Sequence, residues 1–352
     1  MSLPFAQAPR QLCILRLSAL GDISHTLPVV RTIQTHWPET RLTWIIGKTE
    51  HRLIGDIEGI EFIVFDKRQG WRAFQSLHRQ LRGRRFDALL HMQVSLRASL
   101  LSLLVKSPIK LGFDRARAKD LQWLFTNHKI AARQNEHVLD SLFGFSEALG
   151  IKERHLRWDI PIPPAAEAYA AEHLPNQSFI AISPCSSMSY RNWHSQGYAE
   201  LAIHAIRHHG LKVVLCGGNS PLERQFGAEI LARLDSAKLA GAVTNLISRT
   251  DLKQLLAVLR RATLLISPDS GPAHLATAVG TPVIGLYAST NPARARPYLS
   301  EALLVNRYAD AVQQFLGKGV DELPWGGRVR ATGAMALIKP SDAIAVLDRV
   351  LT

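Results

Sequence analysis

Short apolar runs alternate with amphipathic stretches twice over in this chain, and a single proline cluster separates the two series, at residues 158–165 (WDIPIPPA). An apolar run of four to eight residues bounded by turn signals reads as a buried strand, and the periodic stretch after it as a helix crossing back. Strands are expected at 13–17, 42–46, 62–65 and 88–91, with helices at 23–37, 71–82 and 96–104, the last read as core-facing. Beyond the prolines, strands at 179–183, 213–216, 264–267 and 283–287 alternate with helices at 195–208, 222–234, 252–261 and 273–279. An amphipathic helix at 340–351 follows. Such alternation requires parallel sheets with crossover helices. Proline cannot donate to a ladder and stiffens the chain, so 158–165 reads as an inter-domain linker. The expected fold class is α/β, two Rossmann-like domains facing a central cleft, with ligands outside the carboxyl ends of the strands.

Charge narrows the partners. The 352 residues include 42 Lys+Arg and 29 Asp+Glu, a net of +13, and residues 66–133 alone hold 15 basic against 4 acidic side chains, a net of +11. Such a segment faces nucleic acid, anionic lipid or an acidic substrate, or is simply a solvated basic face. Aromatic residues are 7% and no nucleic-acid motif occurs, which argues against nucleic acid as a partner. Three scattered cysteines exclude a disulfide framework and a cysteine zinc site, and they fit a reduced, cytoplasmic compartment. No apolar run reaches 18 residues and no signal-peptide pattern opens the chain, so a soluble or peripheral protein is expected.

Three segments carry candidate chemistry. In residues 15–28 (LRLSALGDISHTLP) a strand runs into a turn, and Asp22 either projects from the strand end as a carboxylate base or caps the next helix. In residues 183–193 (SPCSSMSYRNW), serines and Arg191 suit a pyrophosphate, although an ordinary Ser-rich turn also explains them. In residues 266–288 (ISPDSGPAHLATAVGTPVIGLYA), a strand ends at Asp269 and a helix starts near Ala273 behind Pro272, giving an anion site at a helix N-terminus. There is no GxGxxG, no P-loop, no His-Glu-x-x-His and no Asp-x-Asp pair, so no metal ligand set is expected.

Together, Leu17-Ser18-Ala19-Leu20-Gly21-Asp22-Ile23, the Ser186-Ser187…Arg191-x-Trp193 loop, Gly217-Gly218…Glu223-Arg224 and Asp269-Ser270-Gly271-Pro272-Ala273-His274 resemble glycosyltransferase family 9, the ADP-heptose:lipopolysaccharide heptosyltransferases. The resemblance runs from residue 12 to about 350. It implies a GT-B fold: an acceptor-binding domain over 1–160, an ADP-sugar domain over 161–335, and a C-terminal helix over 336–352 expected to pack back on the first domain. It also implies inverting transfer of heptose from ADP-heptose, with no metal or cofactor, onto Kdo of Kdo–lipid A, phosphorylated or not. Asp22 matches the general base. Ser186, Ser187 and Arg191 match the diphosphate loop, with Arg standing where the family often has Lys. Glu223 matches a ribose neighbour. Asp269, Ser270, Gly271 and His274 match the motif that closes on the donor. Lys67, Arg68, Arg72, Arg115, Arg117 and Lys119 fall in stretches comparable to acceptor loops. His137 sits at a position often near the acceptor, or is a capping or core histidine. The acceptor lipid implies peripheral contact with anionic lipid on the cytoplasmic face of the inner membrane. A later-step heptosyltransferase and a GT-B sugar-nucleotide epimerase are the rival readings.

Overall fold

The computed structural model describes residues 3–351. These divide into two compact units, with the boundary between Pro161 and Ile162.

In the first unit, β1 (Gln11–Leu15), β2 (Arg41–Gly47), β3 (Ile60–Phe65), β4 (Ala88–His91), β5 (Ile109–Gly112) and β6 (His128–Lys129) form one parallel sheet in the order β3-β2-β1-β4-β5-β6. Leu12 of β1 pairs with Leu42 on one side and Ala88 on the other. The central strands are almost fully buried because helices cover both faces, which is why they read as unbroken apolar runs. Cys13, Leu15, Ile45, Ile63 and Leu89 lie in its core.

The second unit repeats the plan. Strands β7 (Phe179–Ile182), β8 (Lys212–Leu215), β9 (Val243–Asn245), β10 (Leu264–Pro268), β11 (Val283–Tyr287) and β12 (Leu304–Asn306) run parallel in the order β12-β11-β10-β7-β8-β9. In each sheet the order reverses beside the first strand: β1 lies between β2 and β4, and β7 between β8 and β10. The loops leaving those strands diverge there and open a crevice, the usual ligand position in such sheets.

The start of the proline cluster is tied to the first unit. Pro28 lies inside the helix Leu20–His36 and cannot donate to the carbonyl of Ser24. The Trp158 indole Nε1–H donates to that oxygen instead, at 2.8 Å. Arg31 of the same helix donates to the carbonyls of Trp158 and Asp159.

Two expectations are corrected. The helix Leu96–Ser102 buries Ala98 and Leu101 but leaves Leu96, Leu100 and the following Leu103 exposed, so it is apolar on both faces and core-facing on one. The C-terminal helix Pro340–Leu351 packs on the helix Ser195–His209 and on β11 and β12. Its Ala343, Val346 and Leu347 join the core of the second unit, not the first.

Candidate active site

The first crevice is built on Asp22. It occupies the first turn of the helix Leu20–His36, where a carboxylate is favoured by the helix dipole. Its Oδ2 accepts the Ala19 N–H at 3.1 Å and meets the Arg16 guanidinium at 2.7 Å. The capping alternative is therefore realised, yet the Asp22 side chain stays 40% exposed while Arg16 is 10% exposed. A positioned carboxylate open to solvent can still take a proton. Arg16 is fixed in turn by donating to the Met92 carbonyl. The Gln93 side-chain oxygen accepts the Leu17 N–H at 2.6 Å. The loops after β1 and β4 are thus stitched together at the switch point.

Glu50 follows β2 and is buried. Burial raises its pKa above the ordinary carboxylate value; its own backbone N–H and the Lys67 charge oppose this, and the Asp22 charge adds to it. Gly47 makes room for this group, since a Cβ there would collide with the Leu17 carbonyl and the Glu50 carboxylate.

Parallel strands put the basic residues on the same edge of the sheet. Lys67, Arg68 and Arg72 follow β3; Arg115, Arg117 and Lys119 follow β5. Lys67, Arg68, Arg72 and Lys119 are exposed. Arg115 lies 3.5 Å over the Trp123 ring. Arg117 is corrected to a structural clamp: it pairs with Asp114 and Glu136 and donates to Ser141 and the Ala131 carbonyl. His137 is buried, and its Nδ1 accepts the Leu139 N–H to cap the helix Val138–Leu149. Its ring meets His25 edge-on at 5.4 Å. The capping alternative describes it.

The second crevice joins the loops after β7 and β10. The Ser267 hydroxyl donates to the Ser183 carbonyl and lies 2.7 Å from the Ser270 hydroxyl. Arg191 pairs with the Asp269 carboxylate at 3.1 Å, and His274 Nε2 lies 4.0 Å from it. Arg191 is aimed by its neighbours. The Asn192 side chain accepts the Ser186 N–H at 2.7 Å, and Trp193 is fully buried with its indole donating to the Ile338 carbonyl. Ser187 is exposed, whereas the Ser186 hydroxyl is engaged with the backbone of Met188. The helix Gly271–Ala278 begins at Ser270 without a side-chain cap, which leaves its first turn suited to an anion.

Glu223 acts locally. Its oxygens accept the Gly218 and Ser220 N–H groups while the Ser220 hydroxyl caps the helix Pro221–Ser236. It holds the glycine turn after β8, and a ribose contact would have to share that carboxylate.

A shallow, open pocket adjoins Arg191 and Asp269, lined further by Thr290, Asn291, Arg294 and Gly326–Arg328. Three guanidiniums and one carboxylate therefore line the same pocket, with Arg191 paired to Asp269. The buried Thr290 hydroxyl has no hydrogen-bond partner among the described residues, which suits a group that a ligand would satisfy. The motif reading missed Arg16, Glu50 and Gln93 in the first unit and Thr290, Asn291, Arg294 and Arg328 in the second. Position after a strand end could have pointed to Glu50 and Gln93.

The sequence profile of glycosyltransferase family 9 (heptosyltransferase) matches residues 74–316. The chain is 40% identical to the lipopolysaccharide core heptosyltransferase OpsX of Haemophilus influenzae over 347 residues, 98% of each protein. Among solved structures, it resembles a glycosyl transferase family 9 protein of Veillonella parvula with a TM-score of 0.78 and 21% identity, covering 97% of each chain. It also resembles the Escherichia coli heptosyltransferase WaaC with ADP, with a TM-score of 0.69 and 21% identity, covering 87% of this chain and 99% of that one. Both structural likenesses concern the fold.

Proposed function

The chain belongs to glycosyltransferase family 9, and from that membership we propose that it transfers L-glycero-D-manno-heptose from ADP-heptose to a Kdo residue of Kdo–lipid A in building the lipopolysaccharide inner core. The observation that carries this reading is the 40% identity to a core heptosyltransferase across both units. That same identity weighs against the epimerase reading. The fold is GT-B, in keeping with the heptosyltransferase structures it resembles.

In this mechanism the second unit binds the donor. The Arg191, Arg294 and Arg328 guanidiniums and the first turn of the helix Gly271–Ala278 receive the diphosphate, while Asp269 and His274 address sugar hydroxyls. Asp22 takes the proton of the acceptor hydroxyl. The acceptor oxygen then forms a bond to the anomeric carbon from the face opposite the phosphate, the bond from that carbon to the β-phosphate oxygen breaks, and ADP leaves with the electron pair. The configuration inverts. Preorganised guanidiniums and helix N–H groups stabilise the charge that develops on ADP, so transfer needs no metal in this reading. The first unit holds the acidic acceptor through Lys67, Arg68, Arg72, Arg115 and Lys119. The net charge of +11 over residues 66–133 and the exposed Trp71, Leu96, Leu100 and Leu103 support contact with anionic lipid on the cytoplasmic face of the inner membrane.

The test uses ADP-heptose with Kdo₂–lipid A and phospho-Kdo–lipid A side by side, with product read by mass spectrometry. One added heptose on either acceptor supports the reading; release of ADP without transfer sinks it. Asp22→Asn should keep ADP-heptose binding and lose transfer by about 10²–10⁴-fold, the usual contribution of a general base. Transfer by that variant at the wild-type rate would remove Asp22 from its role.

A further inference from the structure

Two imidazoles and a carboxylate converge on the second unit, on helices that carry none of the donor residues. His204 and His209 belong to the helix Ser195–His209, and Asp348 to the helix Pro340–Leu351. The Nε2 atoms of both histidines lie 2.7 Å from the same Asp348 oxygen, Oδ1. One potential ligand atom from each residue falls within 4.8 Å of the others. The three side chains are 21%, 19% and 41% exposed, so the cluster is half-buried yet reachable. Its place in the fold is fixed by topology. The helix Ser195–His209 starts at the carboxyl end of β7 and runs back to the start of β8, so His209 stands at the edge of the sheet opposite the donor crevice.

We propose that His204, His209 and Asp348 form a binding site for a divalent transition metal of the zinc class, which clasps the C-terminal helix to the helix Ser195–His209. Two imidazole nitrogens with one carboxylate oxygen form a borderline donor set, suited to Zn²⁺, Co²⁺ or Ni²⁺ and poorly suited to Ca²⁺ or Mg²⁺, which prefer oxygen. Metal–nitrogen and metal–oxygen bonds of roughly 2.0–2.2 Å at tetrahedral angles set ligand atoms about 3.3–3.6 Å apart, so each imidazole nitrogen has to draw back from the Asp348 oxygen by about 0.6–0.9 Å, within the reach of side-chain rotation. Three protein ligands leave a fourth position for water. His208 stacks on the His204 ring with centroids 4.5 Å apart, which limits its rotation. Hydrogen bonds from His209 and His204 hold the Asp348 carboxylate oxygen between the two rings, so the three ligand groups are gathered before any ion arrives. On binding, the ion takes the Nε2 lone pairs and each neutral ring carries its proton on Nδ1. The ion is structural and takes no part in glycosyl transfer.

The test strips the full-length protein with a chelator and titrates it with Zn²⁺ and with Co²⁺. Expected are one tight equivalent per chain, visible Co²⁺ absorption bands, a zinc-dependent rise in unfolding temperature, and no displacement by excess Ca²⁺. His204→Ala with His209→Ala should weaken that equivalent at least about tenfold and remove the bands, since even outer-shell losses cost 10–100-fold. Asp348→Asn, which keeps the shape and removes the charge, should do the same if the double variant fails to fold. His78→Ala, an exposed histidine of the first unit, should change nothing. Equal zinc binding by wild type and Asp348→Asn, or no equivalent tighter than the background, would overturn the proposal and leave the cluster as a hydrogen-bonded pin.

Discussion

At the scale of the residue, the chain places small and titratable groups where the backbone demands them. His91, at the end of β4, is fully buried between the Ser99 hydroxyl and the Gln122 amide. Burial lowers its pKa to about 4 from 6.5. The folded state therefore resists the proton that the unfolded chain accepts, and stability falls as pH drops from 6.5 to 4, then levels off. The size is roughly 3 kcal/mol over that range. Denaturant unfolding of wild type and His91→Gln at about pH 7.5 and about pH 4.5 checks this: the wild type should lose more, and parallel losses would refute it. Gly47 is the second such residue. Gly47→Ala forces the Leu17 carbonyl or Glu50 to move and shifts the segment leading to Asp22. The expected outcome is a loss of about 1–3 kcal/mol in stability, together with a fall in kcat larger than any change in KM for ADP-heptose. Unchanged kcat would separate this glycine from the site.

At the scale of the element, the helix Leu96–Ser102 has an interaction to answer for. Leu96, Leu100 and Leu103 share one exposed face, with Arg97 and Lys106 close by in sequence. Replacing the three leucines by serine should reduce binding to anionic vesicles at least tenfold, by about 1.4 kcal/mol or more. Folded stability should change by no more than about 0.5 kcal/mol per site, as exposed positions allow. Equal binding by the variant, or equal binding to neutral vesicles, would refute it. The same helix marks a limit of sequence reading. Leucines on both faces give the pattern of a core helix, and only the sheet it packs on reveals which face is spare. Interior strands such as β4 and β11 were legible because burial on both faces writes an unbroken apolar run. The edge strands β6, β9 and β12 have two or three residues each and write no pattern. Asp22, Arg191 and Asp269 stand out because their motifs are local. The clamping roles of Arg117 and Arg16 do not, since their partners Glu136 and Met92 lie 19 and 76 residues away. The histidines of the further site were obscured for a related reason. His204 and His208 have the spacing of a helical pair, but His209, at the helix end, is the one that joins His204 on Asp348.

At the scale of the whole molecule, the two units share one plan, so a single rule puts Asp22 in one unit, and Arg191 and Asp269 in the other, at a strand's carboxyl edge beside a switch point. The units also carry thiols of their own. Cys13 is buried in the first; Cys185 and Cys216 are buried in the second. Burial pushes the Cys13 thiol well above its ordinary value and both others up to about 12. Thiolate, the form that reacts with alkylating agents, is thus almost absent while the fold is closed. Unfolding restores it. The three silent sulfurs are therefore clocks already installed in the chain: a maleimide added at about pH 8 should leave the native protein unlabelled for as long as it stays shut. In moderate denaturant, peptide mapping of the adducts should time the opening of one sheet by Cys13 and of the other by the remaining pair, without introducing a foreign probe.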